Sequence, residues 1–557
     1  MSDTNAARNW VYPDSLRALP LDEAHIHPPG TPHAVSSSLP TWESVVGLAS
    51  ADKRVLERID YSYPRFFFCK PVRSLIERVR ERLNFDSNGL ACFIFPSADD
   101  ASDYVAQLQT KNAVVLHIRF FSQVPANRKY LDFSALFVTP EFKAYVRGHW
   151  VNFGTGITTR HAEYCLKYFD EVISHSPHVK PVTAKTPSLD RSSEAWIQRA
   201  SKDLEDLKAH IAQLATTPDN LKQIQAKDVF IFPSGMNAIY NTAEMIAVNN
   251  PDRFAVAFGW IYPETIENLV QGTWQGVIPF RLGNEEELDQ LASKLKTNDK
   301  ILAVFCELPS NIKFTSPNLR RLRDLANKHG LIIICDETVA NFVNVDLVPY
   351  VDIITTSLTK MFSGAANVTG GSVIINPNFR HYDELHDALT CRCPNTTCFP
   401  TDLAVLKQNS INMVERVERA NKSTKIVIDC FEKHPSVARV NHPSRSATIQ
   451  NYERHRRKNG GYGNVFSVVF HNPESARHFY DNLDVCKGSS FGTNFTLAIP
   501  FVQLAAYNTQ EKFEKYDLPK HVIRISVGLE DPRLICTKME EALAKVEAVE
   551  QSLASQA

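Results

Sequence analysis

Short apolar runs alternate with amphipathic stretches between residues 228 and 435. Six runs of four or five residues, mostly β-branched or aromatic, predict strands at 229–232, 255–258, 301–305, 331–335, 353–356 and 372–375. Helical periods separate them, as at 317–329, where Leu319, Leu322 and Leu325 recur on one face. Strands without a polar face, separated by helices, indicate a mainly parallel sheet buried on both sides, so the predicted fold class is α/β.

The regions on either side have different patterns. Residues 1–45 are rich in Pro, Ser, Ala and His and predict an arm. Strand-like runs follow at 91–95 and 114–120. A polar linker is predicted at 183–192 and a charged helix at 193–215. Strands at 465–470 and 522–527 with a closing helix from Arg533 predict a smaller C-terminal α/β domain. We therefore predict an arm and extension (1–225), a large domain (226–435) and a small domain (436–557).

The charge is balanced, since 61 Lys and Arg against 62 Asp and Glu leave a formal charge of −1 over 557 residues. Such a chain has no overall field to attract nucleic acid or an anionic membrane, and no apolar run approaches about 18 residues. Without a secretory pattern at the N-terminus, we expect a cytoplasmic protein. The eleven cysteines are an odd number and predict reduced thiols. One cluster, Cys391, Cys393 and Cys398, lacks a fourth ligand at a familiar spacing, so we expect no metal.

Residues of particular chemistry follow the predicted strands. Ser234, Gly235 and Met236 end the first strand and open a helix, whose free amides and positive dipole end would bind an anion such as phosphate. An ordinary helix cap is the alternative. Asp336 follows the strand 331–335, where a buried carboxylate needs a cation or strong hydrogen bonds. A protonated pyridine would supply the cation. A helix cap is again the alternative.

Two hydroxyls and an amine follow the strand 353–356, at Ser357, Thr359 and Lys360. A lysine there can form an imine with an aldehyde while the hydroxyls hold a phosphate, although a surface lysine is the simpler interpretation. Arg524 lies in an apolar strand near the C-terminus. A guanidinium in that setting either grips a carboxylate in fork geometry or serves an internal ion pair.

In this order and spacing, these features resemble the Cys/Met-metabolism family of pyridoxal-phosphate (PLP) enzymes, the fold-type I group that includes cystathionine γ-synthase, cystathionine lyases and O-acetylhomoserine sulfhydrylases. The resemblance runs from about Asp228 to the C-terminus. The matching segments are Ser234–Met236, Tyr262–Thr265, Glu307–Asn311, Asp336–Thr338, Ser357–Lys360 with Gly370 and Gly371, and Arg524–Asp531. The resemblance implies a fold-type I PLP-dependent transferase with a mainly parallel large domain.

The resemblance also implies a role for each residue. Lys360 would form the imine with PLP and move the Cα proton of an amino-acid substrate. Tyr262 would stack on the cofactor and assist proton transfer, and Asp336 would hold the pyridine nitrogen. Asn311 would lie near the phenolic oxygen of the cofactor, and Arg524 and Ser490 would bind the substrate. The residues expected to bind the phosphate are Ser234, Gly235, Met236, Ser357 and Thr359.

The N-terminal region is similar to the extended fungal cystathionine γ-synthases. The similar segments are Pro32–Ser36, Leu39–Trp42 and Tyr63–Phe67. Sites of this family are completed across a dimer interface, so the resemblance implies a homodimer or homotetramer. We expect Tyr63 and Arg65 of a neighbouring subunit to clamp the phosphate, with Arg160 as the alternative.

Departures from the family pattern concern the nucleophile. Met361 and Ala365 stand where relatives have Tyr and His, and Phe495 replaces a glutamate that helps to bind the second substrate. We expect γ-replacement on an O-acyl-L-homoserine by L-cysteine, giving L-cystathionine. Another carbon, nitrogen or sulfur nucleophile in specialised-metabolite biosynthesis is the alternative. A catalytically silent relative is a third hypothesis, opposed by the retention of the lysine, the aspartate and the arginine.

Overall fold

A computed structural model describes most of the chain, and its strands form three sheets in sequence order. The described residues are 16–25, 33–83, 89–111, 115–122, 130–175, 192–218, 221–393 and 398–556. The predicted linker at 183–192 therefore falls largely outside them. Of the helices in these ranges, none is both long and apolar enough to span a bilayer.

A four-stranded antiparallel sheet precedes the central domain. Its strands are β1 (Ala91–Phe95), β2 (Val115–Ser122), β3 (Phe133–Val138) and β4 (Val172–His175), in the order β1-β3-β2-β4. The helices of this region are α1 (Trp42–Ala49), α2 (Lys53–Leu56), α3 (Lys70–Leu83), α4 (Ala98–Thr110), α5 (Pro140–Phe153), α6 (Thr159–Lys167) and α7 (Ser192–Ala215). The apolar pattern predicts β1, β2 and α7, but not β3 or β4. One core, which includes Phe93, Leu136 and Trp150, joins the sheet to its helices.

The central sheet has seven strands. They are β5 (Val229–Phe232), β6 (Phe254–Phe258), β7 (Gly276–Phe280), β8 (Ile301–Glu307), β9 (Ile332–Asp336), β10 (Ile353–Ser357) and β11 (Gly371–Ile375), in the order β5-β11-β10-β9-β8-β6-β7. Only β11 runs antiparallel to its neighbours. The α/β prediction is confirmed. The pattern misses β7, because this edge strand contains Gly276 and Pro279 and is only partly buried.

Helices cover both faces of the central sheet. They are α8 (Gly235–Ala247), α9 (Pro263–Gln271), α10 (Glu285–Thr297), α11 (Leu319–His329), α12 (Asn341–Asn344), α13 (Tyr382–Arg392), α14 (Pro400–Ser410) and α15 (Met413–Glu432). In α11, Leu319 and Leu322 are buried as the periodicity predicts. The Asn318 side chain caps its first turn, and Gly330, with φ of 77°, ends it in the left-handed region.

A second mixed sheet forms the C-terminal region. Its strands are β12 (Val437–Asn441), β13 (Val465–Phe470), β14 (Cys486–Lys487), β15 (Leu497–Pro500) and β16 (Ile523–Ser526), in the order β12-β13-β16-β15-β14. Its helices are α16 (Ile449–Glu453), α17 (Pro473–Asn482), α18 (Phe501–Ala505), α19 (Gln510–Glu514) and α20 (Pro532–Gln556). One core joins α15, α17 and α20 to the sheet. The domain boundaries at 225 and 435 stay predictions.

The N-terminal arm is more buried than its composition indicates. Residues 33–39 are all buried, and Ala34 and Leu39 have no exposed surface. The Val35 amide donates to the Ala366 carbonyl at 2.8 Å, and the Leu39 amide donates to the Lys487 carbonyl at 2.7 Å. Apolar periodicity does not reveal this segment because backbone hydrogen bonds, rather than an amphipathic face, attach it to the rest of the chain.

Candidate active site

Lys360 lies just beyond β10, in a buried position. Its Nζ donates to Ser490 Oγ at 3.0 Å and to Tyr63 Oη at 3.5 Å. The ammonium lies 4.5 Å from the ring centre of Tyr63 and 4.8 Å from that of Phe491. Burial lowers the pKa of Lys360, and the positive charge of Arg524 lowers it further, while Tyr63 acts in the opposite direction. Lys360 is therefore an enclosed amine, not the surface lysine of the simpler interpretation.

Asp336 ends β9 beside the strand that leads to Lys360. Parallel pairing places Asp336 opposite Thr355 of β10 and opposite Glu307 of β8, so the carboxyl ends of three strands meet at one edge. The Thr338 amide donates to Asp336 Oδ1 at 2.8 Å. Burial raises the pKa of Asp336, although the hydrogen bond from Thr338 and the charge of Lys360 act in the opposite direction. A cation beside this carboxylate would stabilise its charged form.

The turn after β5 forms the N-terminus of α8. Ser234 is the N-cap, and its Oγ accepts from the Asn237 amide at 3.1 Å, as the helix-cap interpretation predicts. Capping leaves the amides of Gly235 and Met236 without an intrahelical acceptor, so they stay available to an anion. A Cβ at Gly235 would lie 2.8 Å from Cβ of Ser357, so only glycine permits this close approach.

Ser357 and Thr359 follow β10 on the same side. The Ser357 amide donates to Thr338 Oγ1 at 2.8 Å. Thr359 Oγ1 donates to the Gly370 carbonyl at 3.3 Å and accepts from the Gly370 amide at 3.1 Å. The two segments that the sequence assigns to phosphate binding, after β5 and after β10, thus adjoin one another through Gly235 and Ser357.

Tyr262 belongs to a buried polar chain. Arg65 Nη2 donates to Tyr262 Oη at 3.0 Å, and the Tyr262 amide donates to Glu307 Oε1 at 2.5 Å. The Asn311 amide donates to the other oxygen of Glu307 at 3.0 Å. Burial raises the pKa of Tyr262, and neighbouring Glu264 adds to the rise. Tyr262 is therefore a neutral phenol, and its catalytic role stays a prediction.

Arg524, in β16, reaches this chamber from the C-terminal sheet. Its Nη2 donates to the Ser490 carbonyl at 2.7 Å, and its Nη1 donates to Asn311 Oδ1 at 3.3 Å. Its guanidinium lies 4.9 Å from the ring centres of both Phe491 and Phe501. Among the described residues it makes no ion pair, although burial lowers its pKa to about 10. In the described part of the chain, the internal ion pair proposed as an alternative from the sequence is therefore absent, and the guanidinium keeps N–H donors for a carboxylate ligand.

The Tyr63–Arg65 segment enters the site from the same chain. Tyr63 contacts Lys360, and Arg65 contacts Tyr262, within the single chain described here. The supply of both residues by a neighbouring subunit stays a prediction. Burial raises the pKa of Tyr63, but the charges of Lys360 and Arg65 outweigh it and leave the pKa below its usual value. Arg160, the alternative clamp, is instead paired with Asp402 at 3.0 Å.

Arg65 and Arg160 nevertheless line one small cavity. Its volume is about 30 Å³, and Ser234 and Gly154 also contribute to its wall. Gly154 has φ of 63°, and a Cβ there would lie 2.5 Å from Ser234 Oγ. The extension before the central domain therefore packs directly on the predicted phosphate-binding turn.

Three features of the site do not follow from the motifs. The first is Phe491, whose ring lies against both Lys360 and Arg524. The second is Glu307, which accepts hydrogen bonds from two backbone amides and whose pKa is raised to about 8 by burial. The third feature is the environment of Phe495, which packs in an apolar cluster with Val35, Ala366, Cys486 and Leu497. The only signal for Phe491 and Phe495 is their presence beside Ser490, in a segment that otherwise resembles the family motif.

Metal ligation finds no support in the described part of the chain. No group of three His, Cys, Asp or Glu side chains there could hold a metal ion. Among the described residues, Cys391, Cys393 and Cys398 form no disulfide, and residues 394–397 between them lie outside the described ranges.

The parallel sheet, the lysine and aspartate at its carboxyl edge and the arginine from the following domain define a class of cofactor-dependent enzyme. The chain matches the family "Cys/Met metabolism PLP-dependent enzyme" over residues 213–544 and belongs to that family. It is thus a PLP-dependent enzyme of the cystathionine γ-synthase-like type, with the fold-type I architecture that the sequence predicts.

Individual relatives extend the similarity beyond the family region. The chain is 38% identical to the cystathionine gamma-synthase-like protein ankD of Aspergillus thermomutatus, over 94% of each chain. It is 28% identical to the cystathionine gamma-synthase of Neurospora crassa, over 94% of this chain and 98% of the relative. The cystathionine gamma synthase structure from Xanthomonas oryzae pv. oryzae in complex with cystathionine superposes with a TM-score of 0.53, at 20% identity, over 63% of this chain and 88% of that one. At that identity the superposition supports the fold alone.

The residues present fit PLP. The free amides of Gly235 and Met236 and the adjoining Ser357 offer donors to a phosphate. Asp336 is a half-buried carboxylate that a protonated ring nitrogen would neutralise. Lys360 offers a buried amine to the aldehyde. The phosphate, the ring nitrogen and the aldehyde of the cofactor therefore each have a complementary partner at one edge of the sheet.

Proposed function

We propose that the protein catalyses γ-replacement on an O-acyl-L-homoserine, with L-cysteine as the nucleophile and L-cystathionine as the product. One observation carries the proposal: Ser490 joins the amine and the guanidinium, since its hydroxyl accepts from Lys360 Nζ at 3.0 Å and its carbonyl accepts from Arg524 at 2.7 Å. An α-amino acid held by its carboxylate at Arg524 would present its Cα to Lys360.

Arg524 supplies the anchor for the substrate. Two of its nitrogens bond neutral acceptors, so the guanidinium keeps its positive charge uncompensated and can pair with a carboxylate in fork geometry. The rings of Phe491 and Phe501 exclude water from this contact. In a site of low polarity such a pair is stronger than it would be in water.

Lys360 supplies the base. PLP, when bound, withdraws electrons from Cα and so acidifies its proton. To accept that proton Lys360 must be neutral, and burial lowers its pKa toward the working range. Asp336 would keep the ring nitrogen protonated, and the phenol of Tyr63, 3.5 Å from Nζ, would pass protons to and from the amine. Tyr262 would stack on the cofactor while Arg65 holds its hydroxyl.

Phe495 supports a second candidate function. The glutamate that the family uses toward its second substrate is replaced by a side chain in an apolar cluster, so this chain lacks that carboxylate. γ-Substitution by another carbon, nitrogen or sulfur nucleophile, in specialised-metabolite biosynthesis, is therefore the alternative. The similarity to a cystathionine gamma-synthase-like protein, alongside a cystathionine gamma-synthase, supports both candidates.

Product analysis separates the two candidates. The holoenzyme is incubated with O-acetyl-L-homoserine and L-cysteine, and the products are identified by mass spectrometry, with Lys360→Ala as the control. We expect cystathionine from the parent protein and none from the variant. Absence of cystathionine, with adducts formed from other nucleophiles, would favour the second candidate.

We further propose that the protein is cytoplasmic and forms a homodimer or homotetramer. Light scattering of the purified holoenzyme tests the oligomeric state.

A further inference from the structure

The N-terminal arm, residues 16–25 and 33–41, approaches the substrate end of the site through its buried serines. Ser36, Ser37 and Ser38 are consecutive and almost fully buried. Their hydroxyls have different surroundings: Ser36 Oγ donates to the Ser489 carbonyl at 2.8 Å, Ser38 Oγ donates to the Leu19 carbonyl within the arm, and Ser37 Oγ has no partner among the described residues. Of these three serines, Ser36 is the one whose hydroxyl bonds the described segment that leads to Ser490.

His25 completes the connection. Its Nδ1 lies 2.9 Å from Ser36 Oγ. Because the single hydroxyl proton of Ser36 is directed to the Ser489 carbonyl, Ser36 accepts from His25, which must carry its proton on Nδ1. The His25 ring also lies 5.6 Å from the ring of Phe495. Phe495 therefore packs against the arm, together with Val35.

The segment that Ser36 holds is the one that contacts the reacting groups. Ser490 follows Ser489 directly and has φ of 81°, a left-handed conformation that is unfavourable for a serine. In this conformation its carbonyl accepts from Arg524 and its hydroxyl accepts from Lys360. Such a conformation persists only where the surrounding structure fixes it.

Close packing of the arm leaves little room for the segment to relax. A Cβ at Gly488 would lie 2.2 Å from the Ser37 carbonyl and 3.0 Å from a ring carbon of His25. The Leu39 amide bonds the Lys487 carbonyl just before this glycine. The arm therefore contacts residues 487–489 on consecutive positions, immediately before Ser490.

We propose that the N-terminal arm positions the substrate-carboxylate site: Ser36, supported by His25, fixes the Ser489 carbonyl and so holds Ser490 in the conformation that orients Arg524 and Lys360. Ser36 is a positioning residue, since it touches neither cofactor nor substrate. The inference rests on the proposed function, in which Arg524 binds the carboxylate of an amino acid.

The three serines provide their own controls. L-Norvaline, an α-amino acid without a leaving group at Cγ, is titrated into holoenzyme, and the dissociation constant is read from the change in cofactor absorbance. For Ser36→Ala we expect a dissociation constant raised about five- to tenfold, the order of one lost buried hydrogen bond. Ser37→Ala and Ser38→Ala stay within about twofold of the parent protein. The affinity for PLP is unchanged in all three, which separates positioning from general damage.

Turnover of O-acetyl-L-homoserine provides a second readout. Ser36→Ala raises KM by the same factor and changes kcat less, because Lys360 keeps its second contact, with Tyr63, when Ser490 shifts. Ser36→Cys keeps the size of the side chain and a weak donor, so it replaces the alanine variant if that variant does not fold. We expect its dissociation constant to lie above that of the parent protein and below the value expected for Ser36→Ala. Equal dissociation constants for Ser36→Ala and Ser37→Ala, or for Ser36→Cys and the parent, would overturn the inference.

The variant Arg524→Ala shows whether a negative result with Ser36→Ala concerns the arm alone or the proposed function as well. If Arg524→Ala abolishes norvaline binding and Ser36→Ala has no effect, only the role of the arm is wrong. If Arg524→Ala binds norvaline as tightly as the parent protein, the carboxylate assignment fails, and the inference about the arm fails with it.

Discussion

Arg416 in α15 and Arg524 in β16 are both almost fully buried, and neither makes an ion pair with a described carboxylate. Burial lowers the pKa of each to about 10. They differ in their acceptors. Arg416 bonds five oxygens, on Met361, Phe362, Ser363, Asn409 and Asn494, whereas Arg524 bonds two.

This difference distinguishes a structural arginine from a ligand-binding one. The five oxygens around Arg416 belong to the loop after Lys360 and to the segments packed on it, so its charge is spread over a fixed network. Gly364 lies so close that a Cβ there would be 2.2 Å from Arg416 Nη1. Around Arg524, which lies against two aromatic rings, only two acceptors are present, so the guanidinium keeps N–H donors for a carboxylate. Burying a cation with few acceptors costs free energy unless a ligand compensates its charge.

The largest expected effect is the loss of stability in Arg416→Ala. The change leaves buried carbonyls without a donor and opens a cavity, so we expect the free energy of unfolding to fall by about 3–5 kcal/mol. A urea titration of the holoenzyme measures it. Arg524→Ala, tested in parallel, should cost less than about 1 kcal/mol. Equal losses for the two variants would remove the distinction between them.

Arg524→Ala should instead affect substrate binding. Loss of a buried charge pair with the carboxylate raises KM for O-acetyl-L-homoserine by about 100-fold or more. The visible absorbance of bound PLP should persist, because Arg524 contacts neither the phosphate-binding turn nor Asp336 in this structure. Steady-state kinetics and an absorbance spectrum check both points. A KM close to that of the parent protein would mean that Arg524 is structural, like Arg416.

Arg524→Lys should have a smaller effect than the alanine variant. Lysine keeps the charge but lacks the planar fork that binds a carboxylate through two nitrogens. We expect KM to rise by about tenfold, with the ranking parent, lysine variant, alanine variant. If the lysine and alanine variants have the same KM, charge makes no contribution at this position.

The smallest effect concerns pH. Arg524 lowers the pKa of Lys360, after the larger contribution of burial, so removing its charge raises that pKa. Proton abstraction needs the neutral amine, and the acidic limb of the kcat profile in Arg524→Met should therefore move to higher pH. Arg524→Lys retains the charge and should leave the limb in place. A shift to lower pH in the methionine variant would contradict this electrostatic account.

The sequence predicts the site wherever function depends on strand ends. Lys360, Asp336 and Ser234 lie at the carboxyl ends of buried strands. Parallel pairing of β9 and β10 brings the first two to one edge of the sheet, and β5, which runs in the same direction on the far side of the antiparallel β11, brings Ser234 to that edge. The sequence predicts Arg524 as a lone charge in an apolar strand. Whether a carboxylate of the chain pairs with it depends on which side chains surround it in three dimensions. Apolar periodicity is a local property and carries no information about such long-range contacts.

The contacts that the sequence does not predict are those between distant segments. Arg416 resembles any basic residue of an amphipathic helix until the loop after Lys360 folds around it. Ser36 lies in a segment without periodicity, and its partner Ser489 is 453 residues away. The contact between Lys360 and Tyr63, which are 297 residues apart, is likewise a property of the folded arrangement. The motifs indicate which residues meet the cofactor, but not which residues hold them in place.

The most direct test of the central claim concerns the amine itself. Lys487 is the informative competitor, because it is also a buried lysine and burial lowers its pKa to about 8, yet its Nζ donates to the Tyr480 carbonyl, outside the site. The holoenzyme is reduced with borohydride, which fixes a cofactor imine as a stable amine, and its peptides are mapped by mass spectrometry. The cofactor-derived mass is expected on the peptide that contains Lys360. Its appearance on Lys487 or another lysine, or on no lysine at all, would contradict the account.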